Sequence, residues 1–111
     1  MKTTVKMSHS NQEYEVDVIK GKSIHVTTSL RQFREETKDY DVTFHIGDQA
    51  EYGSYNLSYY GKITSITEKT VTIKEDDGTG HRLSLAEFAW RNYRFDLATV
   101  QRNNSVEMQS I

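Results

Sequence analysis

Residues 59–73 read YYGKITSITEKTVTI. A glycine precedes a strand-like run, the polar triplet TEK reverses the chain, and a β-branched run answers it, so the stretch predicts an antiparallel hairpin. The pattern continues upstream, where Tyr40, Val42, Phe44 and Ile46 alternate with Asp41, Thr43 and His45 before a Gly47-Asp48 turn. Downstream, DDGTG at 76–80 is a second turn signal and HRLSL at 81–85 a further short strand. Short strands separated by turn residues predict a small antiparallel barrel or a strongly bent sheet.

The flanking segments fit around this β unit. Tyr14, Val16 and Val18 share one face of YEVDVI. KGK reverses the chain, and Ile24 and Val26 repeat the alternation in SIHVTT, giving an N-terminal β-hairpin. Ser29 and Gln32 have capping-box spacing ahead of Leu30 and Phe33, which predicts a short helix over SLRQFREE. Ser84 and Glu87 repeat that spacing, so the main helix is expected to start at Leu85, with Leu85, Phe88 and Ala89 on its packed face. A second short helix capped by Asp96 is expected in DLATVQRNN. Residues 1–13 lack periodicity and read as a flexible arm, 14–103 as a single globular domain, and 104–111 as a frayed tail.

Bulk composition narrows the function classes. The 111 residues include no cysteine, which excludes a disulfide framework, a thiolate metal site and a cysteine nucleophile, and fits a cytoplasmic protein. No apolar run reaches the roughly 18 residues of a membrane helix. The absence of proline leaves reversals to glycine, asparagine and aspartate. A net charge of −2 gives no global attraction to nucleic acid, although four arginines face three acids from His81 onward. His9, His25, His45 and His81 show no metal-ligand spacing, and alternation puts His25 and His45 on polar faces. EDDGTG lacks the spaced ligands of a calcium loop, and GTGHR lacks the lysine and length of a phosphate loop. No catalytic triad stands out, so neither an enzyme nor a cofactor is expected.

The block from Phe44 to Leu85, carried by FHIGDQAEY, YYGKITSITEKTVTI and HRLSL, resembles the SH3-like small barrels that include KOW and Tudor modules. The expected fold is therefore α+β: an SH3-like antiparallel barrel with an N-terminal β-hairpin and one or two short helices. The resemblance implies a binding module whose variable loop is Gly53–Ser58, and a Tudor-type aromatic cage would draw on Glu51, Tyr52 and Tyr55. The proline-free and cysteine-free chain, with FAWRNYRFD near its end, also resembles small bacteriophage proteins, which implies an accessory or host-directed role.

Two candidate surfaces emerge. Tyr52, Tyr55, Tyr59 and Tyr60 crowd nine residues, and strand alternation sends Tyr59 and Tyr60 to opposite faces, so at most one can enter the core beside Ile63. These rings serve either the core or an exposed aromatic patch. In WRNYRF, Arg91 and Arg94 alternate with Trp90, Tyr93 and Phe95. Trp90 and Phe95 are expected to anchor the helix. The leading reading is a non-catalytic module that binds a protein partner through the tyrosines and the adjoining helix. Its alternatives are single-stranded nucleic-acid binding through Arg82, Arg91 and Arg94 with aromatic stacking, and a homo-oligomer joined by strand edges, with a mass well above 12.9 kDa.

Overall fold

The computed structural model describes residues 1–31 and 37–95. Eight strands form two four-stranded antiparallel sheets, each a simple meander in chain order. The first contains β1 (Lys2–Val5), β2 (Tyr14–Ile19), β3 (Ser23–Arg31) and β4 (Thr37–His45). The second contains β5 (Gln49–Tyr55), β6 (Leu57–Ile66), β7 (Thr70–Lys74) and β8 (Gly80–Ser84), and is followed by helix α1 (Leu85–Asn92). The domain is mostly β among the described residues, and the expected 44–85 block supplies all four strands of the second sheet together with the last two residues of β4.

The core is the sum of the alternating faces. Tyr14, Val16, Val18, Ile24, Val26, Val42 and Phe44 come from the first sheet, and Ile63, Ile66, Val71, Ile73 and Leu83 from the second. Leu85, Phe88 and Ala89 close it from the helix, where Phe88 meets Phe44 edge to face at 5.2 Å. Ser84 caps α1 as its spacing predicts, accepting from the Glu87 N–H at 3.1 Å. The Glu87 carboxylate turns instead to Arg91, 2.9 Å away and one helical turn on.

Backbone bonds from the β2–β3 turn and from the β4–β5 crossover stitch the sheets together. The Gly21 N–H donates to the Ile66 carbonyl and the Gly47 N–H to the Ile63 carbonyl, both at 2.8 Å. Gly47 makes the expected Gly-Asp turn at φ 95°, and Asp48 accepts from the His45 N–H at 2.8 Å. Bulges interrupt the β5–β6 and β6–β7 pairings, so the second sheet is bent as well as twisted. Gly61 sits in that bend, where a Cβ would lie 2.5 Å from the Lys74 carbonyl oxygen.

Two segments depart from the sequence reading. Lys2–Val5, expected as part of a mobile arm, pairs with β2, and the Met1 amino group donates to the Val18 carbonyl at 2.7 Å. Four residues without apolar alternation give no periodic signal, since edge pairing needs only backbone. Ser29–Arg31, expected to open a helix, continues β3 opposite Thr37–Asp39. The Ser29 hydroxyl that would have capped that helix donates to Asp39 Oδ1 across the ladder at 2.6 Å. The remainder of that helix, the helix capped by Asp96 and the tail at 104–111 lie outside the described residues.

Candidate functional site

β5 and β6 form one long hairpin whose tip turns at Asn56, a non-glycine residue at φ 64°. Asparagine tolerates this left-handed conformation better than most residues. Tyr55 is 77% exposed and Leu57 72%, while Tyr59 and Tyr60 are 43% and 40% exposed. These four lie within six residues, whereas the other large exposed apolar side chains among the described residues, Met1, Ile19 and Ile46, are scattered.

Tyr59 and Tyr60 divide between faces as alternation requires, and neither is buried. Tyr59 lies beside Tyr52 at 6.3 Å, and Tyr52 stacks on His81 at 3.9 Å and 10°. His81 Nε2 is 2.8 Å from Glu75. Desolvation, followed by hydrogen bonding to Glu75, holds the Tyr52 hydroxyl above the ordinary phenol range. Tyr60 faces the other way, toward Phe95 at 6.0 Å.

Helix α1 fixes the hairpin through a residue the sequence does not single out. Asn92 is fully buried and its amide bonds both backbone groups of Glu51: Oδ1 accepts from the Glu51 N–H at 2.8 Å and Nδ2 donates to the Glu51 carbonyl at 3.1 Å. Nδ2 also donates to the Phe88 carbonyl at 3.0 Å. The side chain thus completes the outer edge of β5 as a neighbouring strand would.

The Glu51 side chain, 4% exposed, is held by Arg94 Nη2 at 3.1 Å and approached by Arg91 Nη1 at 3.9 Å. Arg91 Nε also donates to Glu87 at 2.9 Å, and Arg94 Nη1 to the Arg91 carbonyl at 2.7 Å. Glu51, Arg91 and Arg94 line a notch of about 290 Å³ with Ser54, Ser58, Trp90 and Tyr93. Trp90 is half-buried, meeting His9 edge-on at 5.1 Å and the Arg91 guanidinium at 5.1 Å. Phe95 is also half-buried, with Arg94 over its ring at 4.8 Å.

The sequence-derived site residues therefore fall into separate groups. Arg91, Tyr93 and Arg94 share the notch, although Tyr93 also packs on Tyr40 and Tyr14. Tyr55, Tyr59 and Tyr60 form the exposed end of the hairpin, while Tyr52 joins His81. Arg82 is exposed on β8 opposite Thr72 and does not line the notch. Glu51, Tyr52 and Tyr55 do not converge as a cage, because the carboxylate faces Arg94 and the Tyr52 ring faces His81. Sequence reasoning missed Asn92, and it covered Ser54, Leu57 and Ser58 only as part of the Gly53–Ser58 loop without singling them out. Leu57 alone carried a usable signal, as an apolar residue inside a polar loop. Comparison with family models, curated proteins and solved structures gives no match to the chain.

Proposed function

We propose that this chain is a non-catalytic protein-binding module whose contact surface is the projecting end of the β5–β6 hairpin with the adjoining end of α1. The observation that carries the reading is the exposure of Tyr55, Leu57, Tyr59 and Tyr60 together on one hairpin. Tyrosine joins large contact area to a polar tip, which favours interfaces. In this reading the chain is a small accessory protein of the host-directed kind implied by its likeness to bacteriophage proteins, and its β unit serves as an SH3-like scaffold. The nucleic-acid alternative has less support. Arg91 and Arg94 are both paired with carboxylates, and Arg82 lies apart from them, so the three arginines do not form one cationic face.

Affinity capture from bacterial lysate tests the proposal, using the tagged chain beside a Tyr55→Ala, Leu57→Ser variant, each with and without nuclease. The expected result is a protein retained after nuclease treatment and lost with the variant, the pair costing about 2 kcal/mol or more of binding. Equal recovery by both proteins would refute the hairpin as the contact surface. Loss on nuclease treatment would transfer the reading to nucleic acid.

A further inference from the structure

We propose that the notch between the outer edge of β5 and the end of α1 receives an extended peptide of the partner, which adds a strand along β5 and places one carboxylate beside Arg91 and Arg94. The inference rests on the protein-binding reading above and specifies the partner segment.

β5 is an edge strand of its sheet. At Glu51 the Asn92 amide satisfies that edge. Beyond the Tyr52 bulge the β5 edge runs on beside the notch, which opens over the helix-facing side of the hairpin and is lined by Ser54 and its cross-strand partner Ser58. Among the described residues, no group outside the hairpin bonds to the backbone of Gly53–Tyr55. Unpaired edge groups are a template for strand addition, in which main-chain bonds supply affinity and side-chain pockets supply selectivity.

The notch selects an acceptor. A guanidinium carries five N–H donors. Arg91 commits Nε to Glu87, and Arg94 commits Nη1 to a carbonyl and Nη2 to Glu51, leaving further donors on both groups. Ser54 and Ser58 add hydroxyls. Glu51 and Glu87 balance the two arginine charges, so a small free anion gains little there. A carboxylate delivered on a paired strand gains the remaining donors together with the backbone bonds. Trp90 and Tyr93 provide apolar contact for its stem.

The test pans a display library of random octapeptides on the full chain, then titrates the enriched peptide into isotope-labelled protein. The expected peptide has one Asp or Glu among β-branched or aromatic residues, perturbs the Gly53–Tyr55 amides, and slows hydrogen exchange there. Two variants at the exposed Ser54 probe separate parts of the claim: Ser54→Pro obstructs strand addition and Ser54→Asp repels the carboxylate. Each should weaken binding at least tenfold while leaving the thermal transition in place, and changing the peptide acid to its amide should do the same.

No enrichment, enrichment without an acidic position, or affinity indifferent to both Ser54 variants would overturn the proposal. It would also fall if the edge is occupied by a second copy, seen as a Ser54→Pro-sensitive rise in mass. Binding to residues 96–111 of the same chain, seen as peptide affinity only after their removal, would likewise overturn it. A captured protein that depends on Tyr55 and Leu57 but ignores Ser54→Pro would leave the hairpin-tip reading standing and remove this one.

Discussion

Replacing Asn92 by alanine tests the joint between scaffold and site. The substitution removes one acceptor and the amide donors, leaving the Glu51 N–H and carbonyl at a buried edge without their present partner. A buried polar group deprived of its bond costs about 1–3 kcal/mol. Some relaxation toward water in the adjacent notch reduces the sum for two such groups, so the expected loss is about 3 kcal/mol. In a domain whose total stability is on the order of 5–15 kcal/mol, that is a large fraction. It corresponds to a melting temperature lower by roughly 10 °C at this size. Urea denaturation gives the free energy, and hydrogen exchange at the Glu51 amide reports whether the loss is local. Asn92→Asp keeps an acceptor for the Glu51 N–H but loses the donor to its carbonyl, so it should remain destabilised while protecting that amide better than alanine does. An Asn92→Ala stability within about 0.5 kcal/mol of the parent, with the Glu51 amide still protected, would show that the amide clamp does not hold the hairpin.

Gly61→Ala should destabilise by about 1–3 kcal/mol, because its Cβ would meet the Lys74 carbonyl at 2.5 Å and force the β6–β7 bend open. An unchanged urea midpoint would refute that close approach. Burial, with a smaller contribution from Tyr93, pushes the Tyr14 hydroxyl up to about 12. Its folded pKa exceeds the unfolded value of about 10, so its stabilising contribution is complete below pH 10 and declines as pH rises toward 12. Tyr14→Phe should remove this part of the alkaline loss in urea midpoints measured from pH 8 to 12, and an identical slope in both proteins would contradict it.

The parts of the fold legible in sequence are those specified by local chemistry. The β2–β3 and β6–β7 hairpins follow from period-two alternation around turn residues, and α1 follows from Ser84 and Glu87. The same local rule misled at Ser29, because a hydroxyl and Gln32 at capping distance do not reveal a competing ladder contact with Asp39. The way the two sheets are joined depends on bonds from Gly21 and Gly47 to β6, which leave no periodic trace. The site was still less legible. Glu51 lies in β5, where Gln49, Ala50 and Glu51 are buried in succession without alternation, and its partners Asn92 and Arg94 are 41 and 43 residues away. Arg91 and Arg94 look available beside aromatic residues until those distant contacts are known.

The exposed tyrosines follow from a mismatch in length. β6 has ten residues, but burial begins only at Gly61, leaving Leu57–Tyr60 beyond the core. At roughly 3.3 Å per residue this overhang is about 13 Å long. Alternation can choose a face for Tyr59 and Tyr60, but it cannot supply a neighbour where the core has ended. An isolated two-stranded ribbon is marginal in water. Here its base is held by the Asn92 bonds to Glu51, and its flank by Tyr52 stacked between His81 and Tyr59. The clamp therefore allows the apolar tip to remain outside the core without detaching from it. If this division of labour is correct, Asn92→Ala should weaken partner binding through loss of hairpin order, whereas Tyr55→Ala with Leu57→Ser should weaken it while leaving the urea midpoint nearly unchanged. A fall in stability for the tip variant equal to that for Asn92→Ala would instead make the tip part of the structural core.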